Sequence, residues 1–155
     1  MRNVALRAAT ANDSTAAADV LLASRKALLP YAPLAHDDAH VHRWVRDVLI
    51  PSGGVTVALA GDAIVGVLAT SREAGVGWID QLYLAPDQVG NGIGALLLAH
   101  ALKNLPLPVR LYTFQANQGA RRFYERHGFK AIAFSDGRGN EERCPDVLYE
   151  LASSD

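Results

Sequence analysis

The segment Leu82-Tyr83-Leu84-Ala85-Pro86-Asp87-Gln88-Val89-Gly90-Asn91-Gly92-Ile93-Gly94-Ala95 passes from apolar and aromatic residues, through a proline, into closely spaced glycines. Its first part reads as the end of a strand, Val76 to Leu84. Its last part opens the Ala/Leu-rich stretch Ile93 to Leu105, long enough for a helix. Glycine lets main-chain N–H groups approach an anion, and a helix start adds favourable dipole charge, so a phosphate-like group is the first reading. Read alone, the same glycines serve as a tight turn that seats a helix on a sheet.

Two phosphate-binding patterns do not fit. Gly90, Gly92 and Ala95 match the dinucleotide spacing, but Pro86 to Val89 separate the strand from the first glycine. Leu105 to Gln115 also contains no acidic residue to hold a ribose. The nucleotide-hydrolase loop needs Gly-Lys-Ser/Thr, which does not follow.

Working upstream, Val4 to Arg7 alternates as a short strand, and Asn12 and Asp13 are positioned to cap a helix over Thr15 to Leu29, stopped by Pro30. A proline-containing loop precedes a second helix, Asp37 to Leu49, with an apolar stripe at Val41, Trp44, Val45 and Val48. Val55 to Ala60 and Ala63 to Ser71 form a hairpin around Gly61-Asp62. The helix over Ile93 to Leu105 is apolar on all sides and predicts burial. Downstream, Val109 to Phe114 is a strand, Asn117 caps a helix running to Gly128, and Phe129 to Phe134 and Val147 to Leu151 are strands.

The 155 residues suit one domain over 1–155, able to bury about 70% of its unfolded surface. Half are apolar, and 15 Lys+Arg against 16 Asp+Glu leave a charge of −1, which argues against disorder and against a nucleic-acid binder. The single cysteine, Cys144, permits neither an internal disulfide nor a cysteine zinc site, and fits a reducing cytoplasm. No stretch approaches the ~20 apolar residues of a membrane span, so a soluble, unprocessed chain is expected.

Two segments together resemble one family. Leu82-Tyr83-Leu84-Ala85-Pro86 leading to Gly90-Asn91-Gly92-Ile93-Gly94, followed by Asn117-x-x-Ala120-x-x-Phe123-Tyr124-Glu125-Arg126-His127-Gly128-Phe129, is similar to the GCN5-related N-acetyltransferase superfamily. The resemblance implies an α/β (α+β) fold with a mixed, mostly antiparallel sheet of about seven strands flanked by helices. It also implies acetyl-coenzyme A as cosubstrate with no metal. Cofactor contacts would fall on Leu82, Tyr83, Leu84, Val89, Gly90, Asn91, Gly92, Ile93, Gly94, Ala95, Asn117, Ala120, Phe123 and Tyr124. One departure stands out: the family usually has Gln or Arg where Val89 stands, with Gln88 displaced by one. Pyrophosphate contacts from backbone N–H groups do not depend on that side chain.

Acetyl transfer to an amine needs a neutral nucleophile, a polarised carbonyl and a proton for the departing thiolate. A main-chain donor of Leu82 to Leu84 would polarise the carbonyl. Tyr124 shares a helix face with Asn117 and Ala120 and is the candidate acid. Asp80, two residues before Leu82 on the expected same strand face, is the candidate base or an acceptor-binding residue. The resemblance puts the first two helices at the acceptor wall, with Tyr31 and His36 as contacts. Asp136 to Glu142 reads as a polar, turn-rich solvated loop, with the alternative that Glu141 or Glu142 lines the acceptor mouth and favours a cationic amine.

Other groups read as ordinary. His36, His40 and His42 lack a metalloprotease signature and read as solvated. Cys144 has no activating base, and Arg121 and Arg122 read as surface charges. The expected acceptor is a small-molecule or peptide amine. A non-catalytic coenzyme A sensor and a protein-interaction module are the rival functions, and the final strand and apolar helices offer surfaces for a homodimer.

Overall fold

The computed structural model describes residues 3–27 and 36–152. Seven strands form one sheet, β1 (Val4–Ala8), β2 (Val55–Ala60), β3 (Ala63–Glu73), β4 (Val76–Leu84), β5 (Val109–Phe114), β6 (Lys130–Ser135) and β7 (Asp146–Leu151). Their spatial order is β1-β2-β3-β4-β5-β7-β6. Every pairing is antiparallel except β4 with β5. That exception follows from the connection, because a helix crossover returns the chain in the same direction. β7 inserts between β5 and β6, leaving β6 as an exposed edge.

Helices α1 (Ser14–Lys26) and α2 (Asp38–Trp44) cover one face of the sheet, and α3 (Ile93–Asn104) packs on the other, where α4 (Gln118–Arg126) joins its core. One core gathers Leu22, Val45 and Val67, and the other Leu97, Leu111, Phe129 and Tyr149. Coverage on both faces explains why Val65 to Ala69 of β3 is buried without interruption instead of alternating. No helix among the described residues is long and apolar enough to cross a membrane.

Several local expectations are corrected. The all-round apolar α3 buries Ile93, Gly94, Leu97, Leu98 and Ala101 but leaves Leu96 47% exposed, because only one of its faces meets the sheet. α2 gives way after Trp44 to a wider π turn over Val45–Leu49. The wider turn shifts the helical phase, so Val41, Val45 and Leu49 are buried while Val48 is exposed. The ends of the first helix at Leu29 and Pro30 lie outside the described residues, as does Tyr31.

Asp13 does not cap α1 with its side chain. Its carboxylate turns back, accepting from the two terminal guanidinium nitrogens of Arg7 at 2.7 and 3.0 Å and from the Thr10 N–H at 2.7 Å. These donors, Arg7 first, hold the carboxyl down at about 2. A carboxyl lowered on folding stabilises above its unfolded value of about 4, and that contribution is lost as pH falls from about 4 to 2. Asp13→Asn is therefore expected to lower stability at neutral pH by about 1 kcal/mol, discounted because Arg7 is half exposed. In denaturant unfolding at several pH values, the gap between wild type and variant should close by pH 2; a constant gap would contradict the assignment.

Candidate active site

Sheet geometry creates the site. β4 and β5 pair only at Gly77 with Val109 and Trp78 with Arg110, although both strands run on for several residues. Beyond Trp78 they splay. The Ala85 N–H donates to the Val65 carbonyl at 2.9 Å. This makes Leu84 opposite Gly66, and Leu82 opposite Leu68, non-hydrogen-bonded pairs of the antiparallel ladder. Their main-chain N–H and C=O groups thus face away from β3, into the gap that β5 has left. Tyr83, opposite Val67, spends its main-chain groups on β3 and offers only its side chain.

The register changes lower in β4. Gln81 lies opposite Ala69 and Ile79 opposite Thr70, which leaves Asp80 as the extra residue of a bulge. The two-residue alternation is broken there, so Asp80 does not share a simple strand face with Leu82. It lines the cavity opened by the splay nonetheless.

At the upper end of the gap lies the glycine loop. Gly90 and Gly92 have φ of 91° and 82°, the left-handed region that favours glycine. Asn91 donates weakly to the Gln88 carbonyl at 3.4 Å, and the first turn of α3 closes from Leu96 to Gly92 at 3.1 Å. Among the described residues, the amides of Gly90, Gly92, Ile93 and Gly94 have no protein acceptor. Gln88 is buried and Val89 is 66% exposed, so the displaced glutamine is turned inward and does not replace the usual polar side chain. Gly94 sits where an added Cβ would meet the Phe123 ring at 3.4 Å, which places Phe123 against the start of α3.

α4 supplies the third wall. Asn117 caps it, its Oδ1 accepting from the Ala120 N–H at 3.1 Å, so its amide nitrogen remains for another partner. Asn117, Ala120 and Tyr124 all line a cavity of about 600 Å³ with Asp80, Leu82 and Tyr83. Tyr124 is 7% exposed, set edge-on to Phe123 and Phe129. No described residue hydrogen-bonds its hydroxyl. Burial, and secondarily the nearby Tyr83, raise the phenol above its ordinary value and keep it protonated, the form a proton donor requires.

A second cavity, about 300 Å³, adjoins the first, sharing Arg25, Gln81, Tyr83 and Glu142. His36, His40 and Trp44 line it from α2 and the residues before it. His36 Nε2 lies 3.1 Å from the Glu141 carboxylate and stacks on His40 at 4.0 Å. The structure thus brings His36 and Glu142 to one place. No cluster of three or more potential metal ligands occurs among the described residues.

Sequence reasoning missed Arg25, 5% exposed in the last turn of α1, with its guanidinium 4.9 Å from the Phe114 ring centre. A signal existed: Ala18, Leu21, Leu22 and Arg25 continue one apolar helical face onto a charge. Asn140 was also missed. It brackets Cys144 through both main-chain groups, at 2.7 and 3.1 Å, and so orders the loop carrying Glu141 and Glu142. Arg121 is not a mere surface charge: it donates to the Tyr149 hydroxyl at 3.0 Å, and that hydroxyl donates to Glu125 at 2.7 Å. Burial raises the Cys144 thiol, against a nucleophilic role.

The sequence model of the acetyltransferase (GNAT) family matches residues 21–129. No curated protein matches the chain. Among solved structures, the apo form of YjaB from Escherichia coli is 21% identical, with a TM-score of 0.76 over 98% of this chain and 99% of that one. The PaiA N-acetyltransferase of Thermoplasma acidophilum, in complex with coenzyme A, is 22% identical with a TM-score of 0.73, covering 97% and 99%. Arabidopsis thaliana Naa50, in complex with the bisubstrate analogue CoA-Ac-MVNAL, is 20% identical with a TM-score of 0.69, covering 97% and 99%. At these identities the likeness is one of fold, and the mostly antiparallel seven-stranded sheet agrees with the architecture expected from the motifs.

Proposed function

The chain belongs to the acetyltransferase (GNAT) family, and from that premise we propose that it transfers the acetyl group of acetyl-coenzyme A directly to a primary amine of a small molecule or peptide. One observation carries the reading. The outward-facing main-chain groups of Leu82 and Leu84 lie between a loop with open amides and a buried tyrosine with an unengaged hydroxyl. Acetyl-coenzyme A fits that order of groups, diphosphate to amide arm to thioester, and supplies the activated acyl group.

The chain's own residues do the rest. The amides of Gly90 to Gly94 take the anionic end. Leu82 and Leu84 hold the amide arm as an added strand and aim a main-chain donor at the thioester carbonyl. Tyr124 gives its proton to the leaving sulfur. Asp80 takes the proton of the acceptor amine, directly or through water, and Asn117 offers its free amide nitrogen to the arm.

Calorimetric titration with acetyl-coenzyme A, followed by thiol release against a panel of amines, tests this. Binding without turnover on any amine would favour a coenzyme A sensor, and absence of binding would end both readings. Asp80→Asn is expected to lower kcat/KM about a hundredfold while leaving the affinity for coenzyme A unchanged. Turnover unchanged in the variant would move the base to Glu142, which lines both cavities.

A further inference from the structure

Of the nine residues of α4 only Tyr124 is buried, with Ala120 and Phe123 half-buried beside it. A helix this short takes its stability and its setting from tertiary contacts. Polar contacts supply most of them here. Tyr149 is fully buried in β7, between β5 and β6. Its hydroxyl accepts from Arg121 Nε at 3.0 Å and donates to the Glu125 carboxylate at 2.7 Å. Arg121 and Glu125 stand one turn apart on the same face of α4, so a single oxygen fixed to the sheet holds the helix against both rotation and sliding. Arg121 also donates to the Gln115 carbonyl at 3.3 Å and lies over the Phe134 ring at 5.7 Å. The Asn117 end is anchored separately, because the Gln115 side chain donates to the Ser135 and Asp146 carbonyls, each at 2.9 Å. Tyr124 sits next to the clamped Glu125, its ring 6.3 Å from that of Tyr149.

We infer that Tyr149, through Arg121 and Glu125, is a positioning residue that sets the Tyr124 hydroxyl at the sulfur of coenzyme A. No described residue bonds that hydroxyl, so the setting of α4 is what aims it. A small displacement of a proton donor costs transfer steeply. The assignment rests on the acetyl-transfer reading with Tyr124 as its acid.

The test needs no acceptor. A phenol O–H held at the sulfur stabilises a thiolate, so coenzyme A bound to the wild type should ionise about one pH unit lower than when bound to Tyr124→Phe. Thiolate absorbance is followed against protein saturated with desulfo-coenzyme A, which cancels Cys144 and the tyrosines. Tyr149→Phe keeps the ring and should raise the ionisation of the bound thiol by about as much. The double variant Tyr124→Phe/Tyr149→Phe should raise it no further, because the clamp acts only through the hydroxyl already lost. Should Tyr149→Phe fail to fold, Glu125→Ala, at an exposed position, takes its place. A wild-type value in the clamp variant beside a raised value in Tyr124→Phe overturns the inference and leaves the acid in place. A further rise in the double variant overturns it too, since the clamp then acts by another route. If Tyr124→Phe itself titrates as the wild type does, or if coenzyme A does not bind, the reading beneath fails and takes the inference with it.

Discussion

Tyr124→Phe is expected to lower kcat by about a hundred- to a thousandfold while leaving the affinity for coenzyme A within about twofold. Loss of the hydroxyl removes the proton donor but not the ring, and the ring is what packs against Phe123 and Phe129. No described residue bonds the hydroxyl, so its removal strands no protein partner and stability should change little. The expected pattern is therefore a fall in kcat with KM for acetyl-coenzyme A and the melting temperature nearly constant. Full turnover in a variant that binds coenzyme A normally would remove Tyr124 from the chemistry.

Gly92→Val should weaken coenzyme A binding by about thirtyfold or more. Space is not the reason, since an added Cβ there meets nothing within 4 Å. Gly92 is held at φ 82° as the residue before α3, and a β-branched side chain in that region carries about 1 to 3 kcal/mol of strain. The loop can relieve the strain by rotating, which turns the Gly92 and Ile93 amides away from the anion. Gly61→Val is the control: that hairpin glycine has φ 62° and equally open surroundings, so it carries a similar penalty far from the loop. Both variants should lose stability, but only Gly92→Val should lose affinity. Equal affinities measured by calorimetry would show that the amides do not grip the ligand.

Much of the fold was legible because it depends on local rules. The β2–β3 hairpin followed from Gly61-Asp62 between two apolar strands, and α4 from Asn117 and its downstream apolar positions. The errors were of another kind. Asp13 was expected to cap α1, but Arg7, held in register by β1, draws its carboxylate back. The stripe over α2 lost phase where the helix widened at Val45. Asp80 was placed by counting residues along a strand, and a single bulge undid the count.

The candidate site divides in the same way. The amino-acid order alone determined the glycine loop, the Asn117 cap and the helical spacing of Ala120 and Tyr124, because turns and helices are set by neighbours a few residues apart. Tertiary structure decided that β4 parts from β5 after Trp78, that Leu82 and Leu84 have main-chain groups facing the gap, and that Arg25 and Glu142, far apart in the chain, line one cavity. It also joined His36 to Glu141, 105 residues away. Strand register and splay come from hydrogen bonds between distant segments and from helices packing on both faces, so no window of local sequence carries them.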